Sequence, residues 1–347
     1  MSVNNDYING TAYFIVPHYS TDSETSNKHL DEALNSIFNQ TDNNWKIVII
    51  DNFSPSKAAI SHLINIEKQY PEKVKLILKN KDDGPGVSRN IGIEWAYKND
   101  SPIILFNDAD DISNPKRLET VRQIFANDPS IGVVYSTFNV IDENGKSVSK
   151  EKLAGSIAEI LETHTNPLQG ENVWIEIATN TGYINLTSST AVRTEIAYKN
   201  PFPAENVSED GHTWMRYSAS GARFYYSPDI PSLYRIPQNT EGSSSRTREG
   251  GRHEFHKKMI RVGTAGFKEA VKIAKENGSF DDSIEQDLMI KFYVRLVVTL
   301  LREKEDELAA KQLMNATELS IEKTRKYCIE NKEYNLQLEN LLSSILI

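Results

Sequence analysis

The sequence predicts an α/β protein: a mainly parallel sheet flanked by helices on both faces, followed by a C-terminal helical extension. Three observations carry that expectation. Short apolar runs alternate with stretches of helical periodicity from residue 12 to residue 135, the pattern of successive strand–helix crossovers. One apolar run, Ile103 to Phe106, ends in three carboxylates within four residues, Asp108-Ala109-Asp110-Asp111. Beyond residue 255 the remainder reads as amphipathic helix.

The elements follow in order. Residues 1–10 are polar. Ala12 to Val16 is the first strand, ended by Pro17, with His18-Tyr19-Ser20 at its carboxyl end. Residues 21–28 read as a polar loop, and Leu30, Ala33, Leu34, Ile37 and Phe38 as the first helix. Trp45 to Ile50 is a second strand, ending in Asp51-Asn52. Ile60, Leu63, Ile64 and Ile66 mark the next helix, and Val74 to Leu78 a third strand. Gly84-Pro85-Gly86 reads as a turn before a helix from Ser88 to Tyr97. Ile103 to Phe106 is the central buried strand, and Asn114-Pro115 opens a helix at Lys116. Ile131 to Tyr135 is another strand, and Val140 to Gly145 a hairpin turn. Uninterrupted apolar strands suit a parallel sheet covered on both faces.

The pattern changes from about residue 151. Ile157 to Leu161 is helical, and Tyr183 to Val192 is mixed. Glu209-Asp210 opens a helix carrying Trp214, Met215 and Tyr217, with its acids where the helix dipole favours them. Phe224 to Tyr226 is a short strand, and 241–252 (EGSSSRTREGGR) reads as a loop. Phe255 to Lys275 is amphipathic, Ile284 to Leu301 apolar but interrupted by Lys291 and Arg295, and 302–326 charged. The apolar end, Leu336 to Leu346, must pack on its own helices, on a second copy in a homodimer, or on a membrane face.

The 347 residues carry a net charge of −9, which argues against a nucleic-acid partner. An anionic substrate then needs local Arg, Lys or a metal. Cys328 is the single cysteine, so no internal disulfide forms and a reducing compartment is expected. No basic-then-apolar leader is seen, and no apolar run reaches the roughly 20 residues of a membrane span. The expectation is a cytoplasmic protein, with peripheral contact at the inner membrane face open to the C-terminal helices. A carboxylate cluster at a strand end is comfortable in two ways: solvated by water, or holding a divalent cation.

In this order the motifs resemble a family-two inverting glycosyltransferase of the GT-A (nucleotide-diphospho-sugar transferase-like) fold. The pieces are Pro17 to Ser20, Asp51, Gly84 to Gly92 with Ser88-Arg89-Asn90, and Asp108 to Asp111 followed by Pro115 and Leu118. Further on lie Ser188 to Arg193, Glu209-Asp210 with Trp214 and Arg216, and Tyr234-Arg235 with Ser243 to Ser245. The resemblance spans residues 11–245. With it the chain divides into a GT-A domain, 1–252, and a helical region, 253–347.

The resemblance implies transfer of a sugar from a nucleotide-sugar, expected to be a UDP-sugar, to a hydroxyl of a glycan, lipid-linked sugar or protein acceptor. It implies Asp110 as the direct ligand of Mn²⁺ or Mg²⁺, with Asp108 in the metal's shell and near the ribose. Asp51 would bond the base and Arg89 would neighbour base or ribose. Pro17, Tyr19, Asp83 and Ala109 would complete the nucleotide-sugar site. Arg235 and the 241–252 loop would close over the diphosphate. Asp210 would be the general base, with Glu209 positioning it or touching the acceptor.

There are departures. Many relatives carry a histidine where Pro237 stands; His253 and His256 could supply a ligand, and His212 is unusual. The Gln-x-x-Arg-Trp motif of processive synthases is absent, which favours single addition. Plainer readings stand beside these roles. Asp51 could be only a helix cap, Arg89 a surface charge, and His18, His212, His253 and His256 loop or surface residues. Two rival functions remain at this point. One is a non-catalytic protein that binds a sugar nucleotide or a partner. The other is a nucleotidyltransferase, although residues 17–28 lack that class's Gly-rich, Arg-containing loop.

Overall fold

The central strands are buried on both faces, which is why their apolar runs are continuous. The computed structural model describes residues 9–153, 155–237 and 250–346. Seven strands form one sheet: β1 (Ala12–His18), β2 (Trp45–Asp51), β3 (Val74–Leu78), β4 (Ile103–Phe106), β5 (Ile131–Ile141), β6 (Thr190–Arg193) and β7 (Arg223–Arg235). Their order is β3-β2-β1-β4-β6-β5-β7. The first four run parallel, as do β5 and β7; β6 alone is antiparallel to its neighbours β4 and β5.

The helices are α1 (Ser23–Phe38), α2 (Lys57–Gln69), α3 (Gly84–Lys98), α4 (Arg117–Asn127), α5 (Gly155–Thr163), α6 (Val173–Glu176), α7 (Thr194–Lys199) and α8 (Glu209–Ala219). After β7 come α9 (Arg252–Glu276), α10 (Glu285–Arg302), α11 (Asp306–Leu319), α12 (Ile321–Glu330) and α13 (Asn335–Ile345). Strand alternation divides the core into two layers. Phe14, Val16, Ile47, Ile49 and Leu105 meet α1, α2 and α4 through Leu34, Leu63 and Phe125. Tyr13, Ile15, Val48, Ile50 and Phe106 belong to the other layer, with Ile93 of α3 and Trp214 of α8. That second layer continues without a break through Phe267 and Phe292 to Leu313 and Leu342.

Several elements differ from expectation. The polar 21–28 stretch is mostly the first turns of α1, because Asp22 caps it by accepting the Glu24 N–H at 3.2 Å. Gly84-Pro85-Gly86 is the first turn of α3 itself, where a proline needs no N–H partner. The charged 302–326 segment folds as α11 and half of α12, one face of which supplies Leu308, Leu313 and Ala316 to the core. β7 runs thirteen residues instead of three. Its outer residues alternate between buried and exposed, so no apolar run marks them. Of the apolar C-terminal residues, Leu338 and Leu342 are buried against the chain's own helices, whereas Leu336 is exposed. Among the described residues no helix is long and apolar enough to cross a membrane.

The topology places one edge of the sheet at the disposal of chemistry. The pairings His18↔Asp51 and Ile15↔Phe106 bring the carboxyl ends of β1, β2 and β4 level, where open α/β sheets bind ligands. Because β6 runs antiparallel, its amino end meets this same edge and carries Ser188 to the Asp108 backbone. α3 lies close on these strands because Gly92 has no side chain. A Cβ there would sit 2.6 Å from Ile15 Cγ2 and 2.9 Å from Ile50 Cδ1. Gly92→Ala is therefore expected to destabilise the fold by about 1–3 kcal/mol through overpacking, read as a lowered urea midpoint with an unchanged m-value.

Candidate active site

Arg89 is the residue on which the sheet edge converges. It sits on α3, is 3% exposed, and bridges two acids far apart in sequence. Its Nη2 donates to Asp108 Oδ1 at 2.8 Å and its Nη1 to Glu209 Oε1 at 2.9 Å. Phe202 lies against the guanidinium, 5.5 Å from ring centroid to Cζ. Burial disfavours the charge, but Asp108 and Glu209 outweigh it and raise the pKa further. Arg89 thus ties the acidic turn after β4 to the acidic pair that opens α8. The surface-charge reading of Arg89 is wrong, because both partners come from segments distant in the chain.

The acidic turn is held from three sides. The Asp108 N–H donates to Ser188 Oγ at 2.9 Å. The Arg235 N–H donates to Asp111 Oδ1 at 2.8 Å, and Arg235 Nε to the Asp110 carbonyl at 2.8 Å. The Arg235 guanidinium also reaches the Asp142 carbonyl at 3.2 Å and Glu32 at 2.6 Å. Arg235 is therefore buried in bracing this turn. Asp111 is a buried structural acid; burial, then Asp110 and Asp108, push it well above the carboxylate range. Asp110 points outward and is exposed. The protein crowding it, then Asp108, raise it to about 6, a push that solvent at its exposed side moderates. Ala109 is half-buried and packs on the α1/α4 layer.

At the β1 and β2 ends, Asp51 Oδ1 lies 2.9 Å from His18 Nδ1. Its Oδ2 accepts the Ser54 N–H at 3.0 Å, and the Ser54 hydroxyl also donates to the carboxylate. Burial would raise Asp51, but His18 and Ser54 hold it below its ordinary value. Pro17 lies within β1 opposite Ile50, and Tyr19 just beyond is 42% exposed. Asp83 precedes α3 and pairs with Lys79 and Lys81, the latter at 3.2 Å. Lys79 also donates to Ser88 Oγ at 3.2 Å.

At the α8 end, Glu209 is taken by Arg89 while Asp210 keeps its carboxylate for other work. Among the described residues its one hydrogen bond is from the Gly211 N–H, at 2.7 Å. Burial, then Glu209 beside it, raise Asp210 to about 7. Tyr183 lies nearby, its hydroxyl bonded to Ser208 Oγ.

The structure thus joins Arg89, Asp108, Glu209 and Asp210 at one point, with Asp110 and Arg235 alongside. Asp51 and Asp83 occupy separate polar clusters at the β2 end. His18, His212 and His256 are buried, not surface, residues. His253 and His256 bond Glu305 at 2.7 and 3.2 Å across to the α10–α11 turn. Neither is hydrogen-bonded to the acidic turn. Of the expected closing loop, 241–249, including Ser243 to Ser245, lies outside the described residues. Sequence reading missed Ser54, Glu32, Tyr183 and Ser208. Each is an ordinary polar residue whose partner is more than twenty positions away, except Ser54, so no local signal marks them.

Comparison with known proteins gives a consistent result. The model of the family described as Glycosyl transferase family 2 matches residues 13–185. An uncharacterized glycosyltransferase of Methanocaldococcus jannaschii is 28% identical over 66% of this chain and 73% of its own. One from Nostoc sp. is 26% identical over 61% of this chain and 59% of its own. Among solved structures, S. aureus TarS 1-349 in complex with UDP-GlcNAc superposes with a TM-score of 0.54 at 17% identity, covering 90% of this chain and 89% of TarS. The mannosyltransferase PcManGT from Pyrobaculum calidifontis, in complex with GDP-Man and Mn²⁺, gives 0.51 at 16% identity, covering 96% and 86%.

Replacing Arg89 by Leu strands two carboxylates and is expected to cost about 3 kcal/mol or more in urea denaturation. The same change removes a cation that lowers Asp210, so the Asp210 carboxyl should titrate above about 7 by NMR. An Arg89→Leu protein as stable as wild type would refute the bridge.

Proposed function

The chain belongs to glycosyl transferase family 2 and is a glycosyltransferase with the GT-A fold, and we propose that it is an inverting, divalent-metal-dependent enzyme with Asp210 as general base. The observation that carries this reading is the Arg89 bridge. It sets the outward carboxylates of the β4 turn beside Asp210, so a donor's diphosphate and an acceptor hydroxyl can meet between them.

Charge supports a metal. The five carboxylates of Asp108, Asp110, Asp111, Glu209 and Asp210 stand against three guanidiniums, Arg89, Arg235 and the buried Arg117 beside Asp111, and Arg235 also pairs with Glu32. A diphosphate would not enter that field unaided. Among the described residues no three His, Cys, Asp or Glu side chains form a ready-made cage. This suits Mg²⁺ or Mn²⁺, which take one or two carboxylates and complete their shell with water and substrate phosphates. Asp110, with Asp108, would hold the ion, which when bound supplies Lewis-acid stabilisation of the leaving diphosphate.

The chain's own residues do the rest. Asp210 accepts the proton of the acceptor hydroxyl. The acceptor oxygen bonds to the anomeric carbon as the bond from that carbon to the diphosphate oxygen breaks, and attack from the opposite face inverts the centre. A carboxyl raised to about 7 is a stronger base than an ordinary one and still ionised in part at neutral pH. Glu209 and Arg89 hold the start of α8 so that Asp210 is presented to the acceptor. Pro17, Tyr19, Asp51 and Asp83 line the base and ribose end, and Arg235 fixes the turn that carries Asp110. TarS was solved with UDP-GlcNAc and PcManGT with GDP-Man and Mn²⁺; both support a nucleotide-sugar donor. A uridine nucleotide is the reading preferred here.

Calorimetric titration of UDP, TDP and GDP, with and without Mn²⁺, tests the donor site. One nucleotide should bind only with the metal, and Asp110→Ala should abolish that binding. Binding of none would end the proposal. Asp210→Asn should keep donor binding while transfer falls about 10²–10⁴-fold; normal transfer would remove Asp210 from the base role. Because the base works deprotonated, kcat/KM of the wild type should climb as pH rises toward about 7 and level off above it. A profile flat from pH 5 to 8 would contradict the assignment.

A further inference from the structure

A second recess, apolar over most of its lining, has Tyr183 as one of its walls. Tyr183, Ser208, His212 and Arg295 supply its polar groups, Ile177, Met215, Met259 and Leu296 its apolar walls, and it encloses about 30 Å³. That is room for one or two waters or a single oxyanion, and too little for a sugar ring.

Arg295 reaches this recess from α10. Its Nε donates to the Ala178 carbonyl at 3.1 Å, and its guanidinium packs over Phe292 at 5.3 Å. Among the described residues no carboxylate lies within ion-pair distance of it. A half-buried guanidinium without an acid is costly, and burial pulls Arg295 down to about 10. The backbone is shaped to receive it. Residues Ile177–Thr181 form one wide turn in which the Gly182 N–H bonds the Ile177 carbonyl at 2.8 Å, one residue further back than in an α-helix. The Ala178 carbonyl is thereby released, and Arg295 takes it. Wide turns of this kind gather at functional sites. Gly182 follows at φ +77°, and a Cβ there would sit 3.1 Å from Arg295 Nη1.

The other walls are poised in the same way. His212 is 4% exposed; among the described residues its Nδ1 is buried without a hydrogen-bond partner, while its Nε2 lies 3.7 Å from Glu269. Ser208 adopts a left-handed backbone, φ +58°, immediately before Glu209 and Asp210, a conformation non-glycine residues rarely hold without a reason. Its hydroxyl is bonded to that of Tyr183, which lies within electrostatic reach of both Asp210 and Arg295.

We propose that this recess is an acceptor subsite that takes an oxyanion, a phosphate or carboxylate group carried by the acceptor, with Arg295 as the charge partner and His212, Tyr183 and Ser208 as hydrogen-bonding walls. The inference rests on Asp210 being the acceptor-side base. The reactive hydroxyl would lie at Asp210 and the anion beyond Tyr183. Asp210, Glu209 and Glu269, which lies 3.7 Å from His212 Nε2, repel such a group, so Arg295, with no carboxylate partner among the described residues, is what makes its binding favourable.

The test uses the full chain saturated with its nucleoside diphosphate and Mg²⁺, so that the donor site cannot report. Inorganic phosphate and, separately, acetate are titrated while the His212 ring signals are followed by NMR. In wild type at least one anion should shift them saturably. Arg295→Gln should raise the dissociation constant tenfold or more, Arg295→Lys less, and nucleotide affinity should not change. A response to phosphate alone identifies a phosphorylated acceptor, and one to acetate alone a carboxylated one. Should Arg295→Gln fail to fold by circular dichroism, Tyr183→Phe should still weaken the anion several-fold. The subsite is refuted if neither anion shifts His212, or if the folded variants bind as wild type does. If no nucleotide binds but an anion still shifts His212 through Arg295, the donor reading fails and the subsite stands.

Discussion

A guanidinium buried between two carboxylates is the constraint on which this site depends. Arg89 cannot leave either partner without stranding a charge in a low-dielectric interior. Asp108 and Glu209 therefore stay within one guanidinium's span, although 101 positions separate them. The acidic turn after β4 and the start of α8 become one unit. Everything the site does follows from that unit. Asp110 faces outward beside it, and Asp210 is presented from the adjoining turn.

The same bridge explains the unequal work of neighbouring acids. Of each pair, one carboxylate is committed to structure and the next is left available. Glu209 is held by Arg89 and Asp210 is not. Asp111 is held by the Arg235 backbone and Asp110 is not. The adjacent pairs Glu209-Asp210 and Asp110-Asp111 thus yield one fixed and one free carboxylate each, while Asp108 is held by Arg89. The C-terminal helices belong to this arrangement as well. α9 and α10 share the α8 side of the core, and α10 delivers Arg295 to the recess behind Asp210. The helical region therefore lines this recess as well as covering apolar surface.

Much of this was legible along the chain. The buried runs Ala12–Val16, Trp45–Ile50 and Ile103–Phe106 announce central strands because both faces of a covered parallel sheet must be apolar. Asp108-Ala109-Asp110-Asp111 announces a site because so many carboxylates at a strand end need water or a cation. Other features were not legible. The first turns of α1 are polar because they face solvent, so periodicity could not reveal them. β7 alternates along an edge of the sheet and carries no apolar run. Arg89 read as readily as a surface charge, since its partners lie 19 and 120 positions away. His212 and His256 looked like loop residues for the same reason.

By itself the sequence determined the fold class, the order of the elements, the family motifs and the acids that could do chemistry. Those are local properties: periodicity, turn chemistry and charge crowding are written in neighbouring residues. Tertiary structure alone decided which acids are free and which are spent, that Arg235 braces the turn, and that Arg295 stands beside Tyr183 with no carboxylate partner among the described residues. Each of those depends on the desolvation and distance of groups far apart in the chain, and neither quantity exists until the chain has folded.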